Sequence, residues 1–560
     1  MSLVVRIALL RPLARHRPLR WGPRLAEALV TRSHQVSGLP GGTARRAAAA
    51  EEAVALCRRL AADRPERHRV DLARALVARA GVADAQPWAE AVGQLREAIG
   101  YVEDPPDRTA LVVLAAARGL LAVNLSMRGD AREALTLALR TRATWDAAAP
   151  LRPDERMRRI RTLLVIGNCQ AMLSRPEEAL TTRQEAWDRY RAQSSYQRLR
   201  WTHIGVDAAT DLARSLAATG RAREALALLN AARADREVLR TVLPARGRAQ
   251  MAEALLVEAE CRAELGEPDA ALRFAGEAVG RLRELGPARR GELAAALRVH
   301  GQLLLRCGQQ EQGVDRLAEA VEVARDADGM ELAHALARLA ATRIADRRWD
   351  SVEPMLDELL TVCRRWVDDL PEVFRPLLVE ALTLVLLMTA FEAPAGDRHP
   401  GAPPRDRIAG LDGVTAGREA VELARALATA DPQHRALLGR ALFGLDRAVN
   451  RAGDVAEAAG LLRECVALRR VLYAADPAGY RSDLVQALGN LGNRLHVLGR
   501  LDEALPVHEE CVALARAADS GLPPAEAVTP LRNLAHTLAA LGRTDEAQRI
   551  TAEANALASA

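Results

Sequence analysis

The 560-residue sequence predicts an all-α solenoid of about eleven antiparallel helix hairpins. Three observations carry that expectation: a recurring turn, small-residue columns in register with it, and an apolar stripe on each flanking helix. The turn falls at Gly129, Ser174, Gly220, Gly266, Gly308, Gly453, Gly499 and Gly542, with successive differences of 45, 46, 46, 42, 145, 46 and 43. Self-similarity at such a period marks stacked supersecondary units, each burying its apolar face on its neighbours.

The stretch 490-NLGNRLHVLGRLDEALPVHEECVALAR-516 shows one unit in full. Leu488, Leu491, Leu495 and Leu498 recur at helical spacing before Gly499, and Ala504, Leu505, His508, Cys511, Val512 and Ala515 after it. Two amphipathic helices with a glycine between them follow from that pattern. Glycine accepts the left-handed conformation at a helix end. Asp502 and Glu503 then occupy the first turn of the second helix, where the dipole favours acids.

The register holds in three columns. Five residues after the turn stand Ala134, Ala179, Ala225, Ala271, Gly313, Ala458, Ala504 and Ala547. Twelve after it stand Thr141, Ala186, Ala232, Ala278, Ala320, Cys465, Cys511 and Ala554. Seven before it stand Ala122, Gly167, Ala213, Ala259, Gly301, Asp446, Gly492 and Ala535. Only Thr141 and Asp446 break the rule of small side chains, which lets helices pack at short interaxial distance.

This frame, with Leu491-Gly492 and Ala504 at the signature positions, resembles the tetratricopeptide repeat. The period is longer than the family's usual 34 residues, as in the long-repeat, kinesin-light-chain-like variants. Leucines such as Leu495 and Leu538 replace most consensus aromatics, in keeping with four Phe and five Tyr. Armadillo and HEAT repeats share the period and are the structural rival. The resemblance implies a right-handed superhelix whose first helices line a concave, peptide-gripping face.

Boundaries follow from the comb. Residues 1–42 read as a basic N-terminal tail with a weak or partial first helix, since 1–21 hold arginines and no acid. Repeats run over 43–391, where 53-AVALCRRLAADRP-65 matches 420-AVELARALATADP-432 and 465-CVALRRVLYAADP-477 in frame. Each match ends its helix before a proline. A helix pair continues through 329–367, with Val352 in the place of Ala504. The Pro/Gly-rich stretch 392–413 reads as an insertion loop that cannot pack, splitting one hairpin. Repeats resume over 414–560 and end in a polar capping helix.

Composition narrows the function. The seven cysteines are odd in number and mostly far apart, a reducing-compartment pattern consistent with a cytoplasmic protein. The apolar run 377–391 is too short for a bilayer and carries Glu380, so no membrane partner is expected. All 78 basic residues are arginine, which with the abundant alanine suggests a GC-rich bacterial genome. Without lysine there is no Walker A loop, and no Schiff-base or pyridoxal chemistry. A net charge of +5 from 78 basic and 73 acidic residues argues for interleaved exposed charges, with no nucleic acid expected.

His508 and Cys511, with His496 on the partner helix, could in principle ligate zinc. Cys511 has a packing role in a small-residue column, and no CxxC or HExxH accompanies it, so no metal and no cofactor are expected. Adjacent carboxylates such as Glu509-Glu510 face different sides of a helix and cannot form an acid/base couple. The chain reads as a non-enzyme.

The row just after the first-helix small residue is polar throughout: Asn168, Arg214, Glu260, Gln302, Arg447, Asn493 and His536. Asn450, Asn490, His496, Arg532 and Asn533 flank its C-terminal members. Asparagine can pair with both groups of a peptide backbone, and arginine can hold a carboxylate bidentately. By the resemblance, Arg447, Asn450, Asn490, Asn493, His496, Arg532, Asn533 and His536 form a peptide- or protein-binding groove. The expected role is a scaffold or sensor. The alternative is a peptide-responsive regulator working with a transcription or signalling partner, such as an NTPase or caspase-like protease module. The uncapped, basic N-terminal end is the expected place for self-association.

Overall fold

The computed structural model describes residues 3–34, 42–82, 87–173, 175–242, 244–327, 329–348, 351–390, 407–516 and 524–559. Among these, the architecture is the expected all-α succession of antiparallel hairpins, with one two-residue β-ribbon added. The chain divides into two compact units, Met1–Arg316 and Leu317–Ala560.

The turns obey the register. Glycines 129, 220, 266, 308, 453, 499 and 542 all have φ between 70° and 101°. At Gly499 the amide N–H donates to His496 O and the next N–H, of Arg500, to Leu495 O, both at 2.9 Å. That pair of bonds closes the helix C-terminus in the left-handed manner only glycine adopts without cost. One more turn carries no glycine. Arg347 sits at φ 59°, and the N–H groups of Arg347 and Arg348 bond to Ile344 and Arg343 in the same pattern. This is the turn that the register of Val352 places within the pair 329–367, with an arginine where the turns above carry glycine. Ser174 lies outside the described residues.

In the first unit, residues 1–42, expected to be a basic tail with a weak or partial first helix, hold two full helices and the start of a third. Helix Leu3–His16 precedes a hairpin formed by Pro18–Ser33 and Gly42–Asp63. Ile7, Leu10 and Ala14 pack with Leu25, Leu29, Val54 and Cys57 in one core cluster. The repeats therefore begin a helix earlier than residue 43, and twelve hairpins are formed among the described residues. Helix Arg108–Arg128 is long and apolar enough to cross a membrane. Here it is a first helix of a hairpin, with Leu114, Ala117, Leu121 and Leu125 buried. The largest fully buried side chains of this unit are Trp145 and Tyr190.

In the second unit, Pro371–Ala390 pairs with Gly413–Ala430 as the split hairpin requires. Residues 391–406 of the insertion lie outside the described residues. Its last part differs from the expected loop: Arg407–Ile408 pairs antiparallel with Leu411–Asp412, and Ile408 is buried. The alternation of one apolar residue into the core explains why this segment packs despite its polar, Gly-rich composition. Asp412 then caps the next helix by accepting from Thr415 N at 2.9 Å.

Successive second helices are joined by arginine–glutamate pairs. Arg58–Glu97, Arg96–Glu133 and Arg142–Glu185 in the first unit stand at 3.1 to 3.5 Å. Arg325–Glu358, Arg364–Glu419, Arg418–Glu457 and Arg463–Glu503 in the second stand at 2.8 to 3.1 Å. Each exposed pair is worth at most about 1 kcal/mol. The interleaved charges of the sequence are thus local partners between neighbouring repeats.

Candidate functional site

The small-residue columns exist because of what lies opposite them. A Cβ on Gly492 would stand 2.4 to 2.7 Å from the ring atoms of His508, nine residues beyond the turn. His508 is fully buried, and both ring nitrogens lack a hydrogen-bond partner among the described residues. Burial, reinforced by the neighbouring His496 charge, lowers its pKa to about 4, so the ring is neutral at pH 7. Cys511 donates from Sγ to Val485 O at 3.3 Å, and burial pushes its thiol up to about 12. The histidine and cysteine of this hairpin are packing residues. Among the described residues no cluster of His, Cys, Asp or Glu is arranged to hold a metal ion.

Asp446, the one acid in the small-residue columns, is fully buried. It accepts from Arg494 Nε at 3.1 Å and Nη2 at 3.4 Å, a pair that ties one first helix to the next. Burial raises the Asp446 carboxyl, and Arg494 and Arg447 oppose that rise. Arg447 is pulled the other way: burial comes first, then repulsion from Arg451, and its pKa falls. Arg494 and Arg447 thus both act on one carboxylate, while Arg451, which repels Arg447, donates to the Thr389 carbonyl.

The eight candidate residues then sort by their partners. His496 Nδ1 lies 3.1 Å from Thr537 Oγ1 of the next first helix, so His496 joins two hairpins. Arg447 is half-buried and engaged within the chain. Asn450, Asn490, Asn493 and Asn533 are half-buried, and Arg532 and His536 exposed. Among the described residues, none of those six side chains forms a hydrogen bond or ion pair. Asn490 and Asn493 are one helical turn apart on Pro477–Val497. Asn533 holds on Pro524–Ala540 the position that Asn490 holds on its own helix.

The same row in the first unit is used differently. Asn168 Oδ1 accepts from Arg183 Nη2 at 2.6 Å, while Arg183 Nη1 donates to Ser215 at 2.6 Å. Arg214 pairs with Asp211 at 3.1 Å. Glu260 is raised by burial, against the pull of Arg214 and Arg298. Sequence reading missed Glu253, seven residues before Glu260 and on the same helix face. Its carboxyl is pushed up to about 7, first by burial and then, against Arg214, by Asp211, Asp207 and Glu292. The seven-residue step back from Glu260, and from Arg214 to Asp207, was the available signal.

No family model matches the chain, and no curated protein matches it. Among solved structures, the chain is similar to a Rap protein complexed with competence and sporulation factor. Identity there is 13%, covering 79% of this chain and 99% of that one, with a TM-score of 0.43. It is also similar to the apo form of RapI, at 10% identity, covering 73% and 98%, with a TM-score of 0.42.

Proposed function

We propose that the chain is a non-enzymatic binding protein that holds an extended peptide or protein segment on the first helices of its C-terminal hairpins. The observation that carries this reading is the set of half-buried amides at Asn490, Asn493 and Asn533, which have no partner among the described residues. None of these amides is among the fully buried polar atoms that lack a partner, so water reaches them and a ligand's backbone can take the place of that water. An amide presents donors and an acceptor together, which suits the alternating N–H and C=O of an extended backbone. Along the same three first helices seven arginines stand against three acids, Asp446, Asp483 and Glu526, and that excess favours a ligand carrying a carboxylate.

The role that fits is a scaffold or sensor whose output is the partner it holds. A signalling partner such as an NTPase or caspase-like protease module is the finer form of the same proposal. The buried thiols suit a reducing, cytoplasmic setting.

The test is an affinity capture from native lysate with the wild-type chain and with Asn490→Ala/Asn493→Ala/Asn533→Ala, read by mass spectrometry. Partners that fall at least tenfold with the variant support the groove. Equal recovery of every partner would remove the assignment.

A further inference from the structure

The first helix carries two apolar faces, and only one of them is used. On Leu3–His16, Ile7, Leu10 and Ala14 pack inward. Val5, Leu9 and Leu13, at i, i+4 and i+8, form a row on the outer side and are 48%, 55% and 42% exposed. Val4 and Leu19 extend the exposed apolar surface. At helical angles, Arg6 lies about 60° from the centre of this row on one side and Arg15 about 120° from it on the other. No acidic residue occurs before Glu27. Arg11 is paired with Glu52 and Arg6 loosely with Glu27. Among the described residues, the guanidinium groups of Arg15 and Arg17 have no ion-pair partner.

We infer that this helix docks the chain on an anionic membrane surface, as an interfacial amphipathic element that does not span. The row is a ridge and not a groove. Among the described residues the helix packs chiefly on Pro18–Ser33 and through its other face, and a bilayer interface needs only a protruding apolar row. Arginines on both flanks can keep their stems along that row while their guanidiniums reach phosphate. Charge argues against a second copy of the chain as the occupant. Antiparallel pairing about Leu9 would set Val5 against Leu13, but would also gather near one interface the Arg15 and Arg17 charges of both copies, which have no ion-pair partner among the described residues. The absence of acids before Glu27 is what a negatively charged leaflet attracts. This inference is independent of the peptide groove, which lies in the other compact unit.

The experiment is vesicle co-sedimentation of the full chain. Phosphatidylcholine vesicles are compared with vesicles containing about 30 % phosphatidylglycerol. The expected result is binding to the anionic vesicles and none to the neutral ones. Leu9→Asp/Leu13→Asp should weaken partitioning at least tenfold with an unchanged melting curve, because both side chains are already exposed. Arg15→Gln and Arg17→Gln should each weaken it roughly fivefold, the effect of one arginine near such a surface. Absence of binding to anionic vesicles would overturn the proposal, as would binding that the Leu9/Leu13 variant retains. So would a dimer in light scattering that the same variant converts to monomer, which would give the ridge to a second copy. Binding of an acidic protein without any vesicle binding would give it to a protein partner.

Discussion

Asn168 and Asn493 occupy the same place in their repeats, six residues before the turn and just after a glycine, yet they do opposite things. In the first unit, the residue nine beyond the turn is Arg183, which fills the space over Gly167 and donates to Asn168. In the second it is His508, which fills the space over Gly492 and offers Asn493 nothing. One side chain on the second helix therefore decides whether the row's asparagine is part of the fold or open to a ligand. A polar row alone does not mark a binding face, since the fold itself can use it, as at Asn168.

The comparison breaks first at the glycines. Gly492→Ala drives a Cβ into a fully buried ring and is expected to cost about 3 kcal/mol. Gly167→Ala meets the Arg183 Cγ at 2.7 Å, on a flexible stem that can shift, and is expected to cost about 1 kcal/mol. Urea titrations of both variants measure the difference.

Asp446→Ala leaves Arg494, whose side chain is 17% exposed, without its carboxylate. The expected loss is about 3 kcal/mol, since a half-removed buried pair is worse than none. Asp446→Leu together with Arg494→Leu should recover much of it. A double-mutant cycle reads the coupling directly.

The two units should also differ in how pH acts on them. His508 titrates near 6.5 in the unfolded chain and near 4 when folded, so its contribution is present above 6.5 and lost as pH falls toward 4. Glu253 runs the other way. Its folded value near 7 lies above the ordinary 4.5, so its contribution is present below 4.5 and lost as pH rises toward 7. Each effect is at most about 3 kcal/mol. His508→Leu should flatten the acid limb of a melting-temperature profile, and Glu253→Gln the limb between 4.5 and 7. Profiles in which each variant keeps the wild-type slope would contradict these assignments.

The smallest stability difference is the most informative. Asn168→Ala removes an acceptor from a buried arginine and should cost about 1.5 kcal/mol. Asn493→Ala removes no bond within the chain and should cost under about 0.5 kcal/mol. His508→Arg sharpens this further. If an arginine there reaches Asn493 as Arg183 reaches Asn168, ligand binding should fall while the fold is kept.

Much of this fold was legible because close helix approach forbids side chains at fixed places, and the three columns record that prohibition residue by residue. The turn at Arg347 was legible only from the register of Val352 with Ala504, since its left-handed φ is imposed by the flanking helices and not by its own preference. The hairpin of Pro18–Ser33 was obscured by arginines that carry no helical pattern, although Leu25 and Leu29 hold its core stripe. At the site, the asparagines could be named from the row. Whether they were partnered could not, because Arg183 and His508 lie on a different helix, fifteen residues away in sequence.

The most direct measurement selects a phage-displayed peptide library on the full chain and titrates the enriched peptides against three proteins. These are the wild type, Asn490→Ala/Asn493→Ala/Asn533→Ala, and Asn168→Ala. The account predicts at least tenfold weaker binding to the triple variant and unchanged binding to Asn168→Ala. Peptides that bind the triple variant as tightly as the wild type would contradict it.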